Sequence, residues 1–197
     1  MISYLGGKKI KMDKILKFKN EDEVINIVAH TCAEFNLLYS INALSGDGDI
    51  LAQYLEHYGE VVNHLRYQQH KNGKLSRLIN NMDTLLSNAP AYPYSFIGYA
   101  HIEKWQLQEL ENSYKKCKHY KNPLFMEIEL LKPRLMDDTM VSVIVSQGTR
   151  GIYRRNEGLE EDTHIILIGR SLKVSLIEVP TDYTEQYGKY ILTVKPD

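Results

Sequence analysis

The stretch that decides the fold runs Thr139-Met-Val-Ser-Val-Ile-Val-Ser-Gln-Gly-Thr-Arg-Gly-Ile-Tyr-Arg154, then the acidic Glu157-Gly-Leu-Glu-Glu-Asp162, then His164-Ile-Ile-Leu-Ile168 and Leu172-Lys-Val-Ser-Leu-Ile-Glu-Val179. Thr139–Ser146 is rich in β-branched residues and reads as a strand, closed by Gln147-Gly148 and continued by Gly151–Arg154. His164–Ile168 is an unbroken apolar run, which suits a buried strand. Leu172–Val179 alternates, so one face meets solvent. Downstream, Tyr190-Ile-Leu-Thr-Val-Lys195 reads as a last strand. Upstream, Leu124–Leu131 is another candidate, and Tyr94–Ala100 is a short buried one after Ala89-Pro-Ala-Tyr-Pro93.

Ahead of these strands the period is helical. Asn20 can cap a helix whose first turn holds Glu21, Asp22 and Glu23. Val24, Ile27, Val28 and Cys32 recur at helical spacing, which carries that helix to about Phe35. Asn36–Leu44 reads as a short apolar helix stopped by a turn at Ser45-Gly-Asp-Gly-Asp49. Another helix begins at Leu51, and Asn72-Gly73 breaks the pattern. Leu75, Leu78, Ile79, Met82, Leu85 and Leu86 then form one stripe over 74–87. Glu103–Cys117 is the last helix, with Trp105, Leu107 and Leu110 inward. Helices first and strands later predict an α+β fold, with a helical section before a mostly antiparallel β core, and argue against a doubly wound parallel sheet. The expected organisation is a basic arm over 1–19 and a single domain over 20–197, helical over 20–87 and strand-rich over 88–197.

The chain has 197 residues, enough for one domain with a sizeable core. Its 24 basic and 25 acidic residues nearly cancel, which argues against a strongly basic nucleic-acid binder. Six lysines between Lys8 and Lys19 read as a solvated arm. Two cysteines, Cys32 and Cys117, do not make a disulfide framework and imply a reducing compartment. No apolar run approaches the ~20 residues that span a bilayer. The first residues lack the basic-then-apolar order of a signal peptide, so the expected location is cytoplasmic. Tyrosine is abundant, 14 against 4 Phe and 1 Trp.

Phosphate-loop, dinucleotide-loop, zinc-protease and nucleophile-elbow signatures are absent. Seven histidines are scattered; His57 and His64, seven apart, share a helical face, but the further ligands a metal pair needs are not found. No metal is expected. The densest carboxylates, Glu157, Glu160, Glu161 and Asp162, stand at the entrance to a buried strand. There they can stabilise a developing cation or simply form a charged connection.

The run Val141–Tyr153, the acidic loop and Ile165–Val174 together resemble the C-terminal half of NAD-dependent mono-ADP-ribosyltransferases of the bacterial-toxin and phage type. That pattern is a strand ending in Gly-Thr-x-Gly, a loop, Glu-x-Glu, and two further strands. Phe35-Asn-Leu-Leu-Tyr39-Ser-Ile-Asn42-Ala-Leu44 is similar to the family's Tyr-x-x-Ile-Asn-x-x-Leu helix. Leu78–Pro90 is similar to the helix that feeds its first core strand. The resemblance spans roughly residues 20–180. It implies an ADP-ribosyltransferase-like fold, NAD as the cofactor, and a protein target, with a bacterial host protein as partner and host cytoplasm as location if the chain is phage- or effector-derived. Membrane and nucleic-acid partners are not implied.

Three motifs depart from the family's pattern. Aromatic-Arg-Gly, whose Arg holds the NAD phosphates, is Phe96-Ile97-Gly98 here. The Ser-Thr-Ser segment falls near Phe125-Met-Glu127-Ile-Glu129. Glu-x-Glu aligns with Glu161-Asp162-Thr163 or with Glu160-Glu161-Asp162, so the second, catalytic Glu is either Thr163 or Asp162. Carried over, the resemblance implies catalytic candidates Glu160, Glu161 and Asp162, cofactor contacts at Gly98, Tyr99 and Arg150, and a target loop of Arg154, Arg155, Asn156 and Glu157. The altered motifs imply a pseudoenzyme whose NAD chemistry is lost or remodelled and which acts on or binds a partner protein. An active, divergent mono-ADP-ribosyltransferase is the alternative.

Overall fold

The computed structural model describes residues 2–5, 8–11, 15–29, 46–67, 73–117, 120–121, 123–133, 139–156, 162–170, 172–178 and 190–196. Its strands are β1 (Ile2–Leu5), β2 (Lys8–Lys11), β3 (Ile15–Lys17), β4 (Ser95–His101), β5 (Tyr120–Lys121), β6 (Met126–Glu129), β7 (Met140–Val145), β8 (Gly151–Asn156), β9 (Thr163–Ile168), β10 (Lys173–Glu178) and β11 (Tyr190–Lys195). Its helices are α1 (Glu21–Val24), prolonged by a π-helical turn over Ile25–Ala29, then α2 (Gly46–Glu56), α3 (Tyr58–Tyr67), α4 (Gly73–Asn88) and α5 (Lys104–Cys117).

β1 and β2 form a separate antiparallel hairpin. The remaining strands run in the order β5-β10-β11-β7-β4-β6-β9-β8, with β3 added beside β4. The pairings are antiparallel except β7 with β11 and β3 with β4. The α+β reading with a mostly antiparallel core therefore holds.

β4 is the pivot. Along one edge it pairs with β7 from Phe96 to His101. On the other edge its start pairs with β3, and its end passes to β6 at Tyr99 opposite Glu129. The sheet thus divides into a half built on β7, β11 and β10 and a half built on β6, β9 and β8. At the crossing a Cβ on Gly98 would collide with Ile128 Cγ2 and lie 2.7 Å from the Glu129 carbonyl oxygen. Only glycine lets the two backbones approach this closely.

Alternation decides what each half buries. Phe96, Val143, Val145 and Leu192 on one half and Met126, Ile128, Ile166 and Ile168 on the other share a single core with Val24, Val28 and Leu110. The opposite face of the β6-β9-β8 half, through Phe125, Leu167 and Ile152, packs against the α4 stripe of Leu75, Leu78, Ile79, Met82, Leu85 and Leu86 and against Leu51, Tyr54 and Val61.

Several expectations hold in detail. The Asn20 side chain accepts the Glu23 amide at 3.0 Å, capping α1. Gly148, with φ of 87°, takes the turn after β7 that Gln147-Gly148 announced. One turn does not form as expected. Gly46-Asp-Gly-Asp49 opens α2 instead of standing as a loop. Glycine costs little in an N-terminal turn, and acidic residues suit the dipole there. Residues 30–45, with the expected Asn36–Leu44 helix, Tyr39 and Asn42, lie outside the described residues, as do the acidic 157–161 and residues 179–189.

Candidate functional site

The β4–β6 crossing opens a cleft on the helix-covered side. It is a cavity of about 120 Å³, lined by Tyr58 of α3, Tyr99 and His101 of β4, Gln106 of α5, the segment Leu124–Glu127, Glu129 and Ile165. Each polar wall follows from local structure. In β6 the alternation Met126-Glu-Ile-Glu129 sends Met126 and Ile128 into the shared core and leaves Glu127 and Glu129 half-buried on the cleft face. Register then places Glu129 beside Ile165 and Ile165 beside Arg154, so the three form one row across β6, β9 and β8.

The two carboxylates are held differently. Glu127 accepts a hydrogen bond at 3.0 Å from the Arg154 guanidinium, which is nearly buried and also donates to Asn156 Oδ1. The Glu129 carboxylate has no hydrogen bond or ion pair to any described residue. Burial raises its pKa, His101 opposes the rise, and Glu127 adds to it. His101 is itself fixed through Nδ1, 2.8 Å from the Thr139 hydroxyl. Behind the carboxylates, Tyr54 stands edge-on to Tyr58 and Phe125 at 5.8 and 5.4 Å. Burial raises the pKa of the Tyr54 and Tyr58 hydroxyls, and the negative charge of Glu127 adds to both shifts. Tyr58 is 45% exposed and marks the mouth of the cleft. No arginine or lysine among the described residues lines the cavity.

A second polar group lies on the opposite face of the β8–β9 hairpin. Arg155 donates through Nε to Asp162 at 2.8 Å, pairs again with Asp162 through its terminal nitrogen, and reaches Glu21 of α1 at 2.8 Å. Buried His164, opposite Arg155 in the ladder, sits between Tyr153 and Glu21. Tyr153 Oη is 2.7 Å from its Nδ1, and Glu21 Oε1 is 3.4 Å from its Nε2. The Tyr153 contact to Nδ1 is a hydrogen bond, whereas the 3.4 Å approach of Glu21 to the buried Nε2 is an ion-pair distance and not a hydrogen bond. Burial lowers the His164 pKa, against the pull of Glu21; Arg155 lowers it further and Asp162 opposes.

The residues singled out from sequence therefore separate. Tyr99 lines the cleft, Gly98 makes the crossing beside it, and Arg154 with Asn156 braces Glu127. Asp162 and Arg155 pair on the other face. Arg150 stands elsewhere, donating to the Ala89 carbonyl at 2.6 Å beside a cavity of about 230 Å³ that also holds Asp83 and Arg170. Glu157, Glu160 and Glu161 lie outside the described residues. Arg154, Arg155 and Asn156 belong to strand β8, and Arg154 is buried, so the target-loop residues that can be placed are ladder residues. Glu129, His101, Tyr58 and Gln106 were not singled out. The two acids spaced i, i+2 within a strand were the available signal. No group of three or more His, Cys, Asp or Glu among the described residues is arranged to hold a metal ion, and no described helix is long and apolar enough to cross a membrane.

Comparison with known proteins sets this geometry in context. No protein-family model matches the sequence, and no curated protein matches it. Solved structures do match. An ADP-ribosyltransferase of the C3 type from Clostridium botulinum superposes with a TM-score of 0.65 at 12% identity, covering 92% of this chain and 98% of that one. The C3 exoenzyme of Clostridium limosum gives 0.63 at 13% identity, over 93% and 98%. A C3-type protein from S. aureus, solved with NAD, gives 0.61 at 12% identity, over 92% and 97%. This chain therefore has the ADP-ribosyltransferase fold of these C3-type structures.

Proposed function

We propose that this protein is an ADP-ribosyltransferase-like scaffold that has lost NAD cleavage and works by binding a partner protein in a cytoplasm, with a bacterial host protein as the partner class. The observation that carries the reading is the charge of the cleft beside β4 and β6, the strands on which the family resemblance places the nucleotide contacts. A dinucleotide pyrophosphate needs cationic or N–H donors. Here the family's phosphate arginine is replaced by buried Ile97, and the Ser-Thr-Ser segment is replaced by Glu127 and Glu129. The terminal nitrogens of Arg154 are taken by Glu127 and Asn156. A cavity of about 120 Å³ also falls short of the ~300–1,000 Å³ typical of small-molecule pockets. These residues do not fit NAD. The position that pairs with Glu129 across the ladder is Ile165, an apolar side chain that offers nothing to an oxocarbenium-like state, while Asp162 is neutralised by Arg155 on the far face.

Calorimetry with NAD at millimolar concentration, run beside an assay for nicotinamide release, tests this reading. The expected outcome is no saturable heat and no release. Turnover that disappears in an Asp162→Ala variant overturns it in favour of an active transferase.

A further inference from the structure

In the helical layer, α3 and α4 meet around a cavity of about 310 Å³ that shares no lining residue with the β4–β6 cleft. That volume reaches the lower end of the ~300–1,000 Å³ range of small-molecule pockets. Its polar wall is His64 from the last turn of α3, Ser76 and Asn80 four residues apart on one face of α4, and Arg170 just after β9. Leu65 and Ile79 supply an apolar wall, and no carboxylate among the described residues lines the cavity. His64 is only 8% exposed, and its Nδ1 is buried with no hydrogen-bond partner. Its Nε2 lies 3.3 Å from the Ser76 hydroxyl. A buried polar atom left unpaired carries its full desolvation penalty, so an orphan on a cavity wall points to a ligand that pairs it. Arg170 is incompletely paired as well. Its Nε and Nη2 donate to Asp83, while Nη1 makes no hydrogen bond to any described residue.

We infer that this cavity binds a small organic anion, its oxyanion head beside His64 and Arg170 and its apolar body against Leu65 and Ile79. An imidazole and a guanidinium without a lining carboxylate select a negative head over a neutral or positive one. Ser76 can donate to Nε2, which leaves the proton on Nδ1 and makes the buried nitrogen a donor toward that head. Asn80, exposed at the rim, adds an amide donor. The donors come from α3, from α4 and from the segment after β9, so the site is held by tertiary packing and not by one helix turn. A bare inorganic ion would leave Leu65 and Ile79 uncovered, which favours an anion that carries an apolar body. Asp83 already shares the Arg170 guanidinium, so the expected affinity is modest. The β4–β6 cleft takes no part in this site, which stands whether or not NAD binds there.

The test is calorimetric titration of the full chain with benzoate, phenyl phosphate and neutral benzamide, run beside NMR of the His64 ring in the wild type. At least one of the two anions is expected to bind with Kd of about 1 mM, and the tighter of them identifies the head group. Benzamide should bind at least roughly tenfold more weakly, the loss of one charge-assisted contact. The His64 ring resonances should shift along the same isotherm, a readout that needs no variant. His64→Gln and Arg170→Gln should each weaken the anion at least roughly tenfold. Arg150→Gln, in the neighbouring cavity that shares Arg170, should leave the affinity unchanged. Benzamide binding as tightly as the anions, no anion binding up to tens of millimolar, or His64 resonances that stay fixed at saturation each overturns the site. Wild-type affinity in His64→Gln does so too. Loss of binding in Arg150→Gln would move the anion to the neighbouring cavity and likewise overturn the assignment.

Discussion

The β8–β9 hairpin and the β6 strand beside it carry charge in opposite ways. On one face, Arg155 is shared by Asp162 and Glu21, and His164 is held between Tyr153 and Glu21. Among the described residues, Arg155, Asp162 and Glu21 each meet an opposite charge there, and the corner ties α1 to the sheet. On the other face, nearly buried Arg154 pairs with Glu127, and Glu129 has no ion pair among the described residues. The two faces differ in effect as well as in sign. A balanced cluster holds elements together. An unbalanced one in a cavity weakens the fold.

The largest test of this contrast is Arg154→Ala. It turns the half-compensated cleft into a wholly uncompensated one by leaving Glu127 without its nearly buried partner. Glu127 keeps 32% of its side chain exposed, so breaking the pair costs about 1–3 kcal/mol, and the melting temperature should fall by roughly 2–12 °C at this chain length. Calorimetric melting measures it. A negligible change would mean that the Arg154–Glu127 pair does not organise the cleft.

A pH series comes next and isolates the balanced corner. Burial lowers the folded His164 pKa, so the unfolded chain takes up its proton first. The His164 contribution to stability is present above the unfolded value near ~6.5 and is lost as pH falls below it. Melting temperature should therefore decline on the acid side of neutrality, and His164→Gln should flatten that decline. An unchanged slope in the variant would assign the pH dependence to the surrounding carboxylates.

The smallest effect has the opposite sign. Burial raises the Glu129 pKa, so folding favours its protonated form. That contribution is complete below the unfolded carboxylate value of about 4.3 and is lost as pH rises through the folded one. At neutral pH the charged Glu129 lowers stability. Glu129→Gln is thus expected to raise the melting temperature at pH 7, with a gain that shrinks as the pH is lowered. A more stable variant marks Glu129 as a residue that does not hold the fold together. A less stable variant would place Glu129 among the groups that hold the structure.

Much of the fold was legible because its signals are local. The β-branched run Val141–Val145 and the stripe from Leu75 to Leu86 each bury one face, and period alone reveals which. The start of α2 at Gly46 was not legible, because glycine and aspartate serve an N-terminal turn as readily as a loop. The site was harder. Linear density drew attention to residues 157–162, yet Asp162 is neutralised by Arg155 seven positions away across a hairpin. Glu127 and Glu129 gain their meaning from β4, more than twenty residues upstream, whose crossing at Tyr99 creates the cavity they face. Strand alternation could have placed both acids on one side. Nothing local could have supplied the opposite wall.

Gly98 bears on how such a site can change over time. The crossing of β4 and β6 depends on the absence of a side chain at one position and on backbone contact. The side chains that line the cleft take no part in that contact. Positions 127, 129 and 165 can therefore change in size and sign without disturbing the frame around them. The feature on which the cleft's shape depends most is then the one that carries no chemistry.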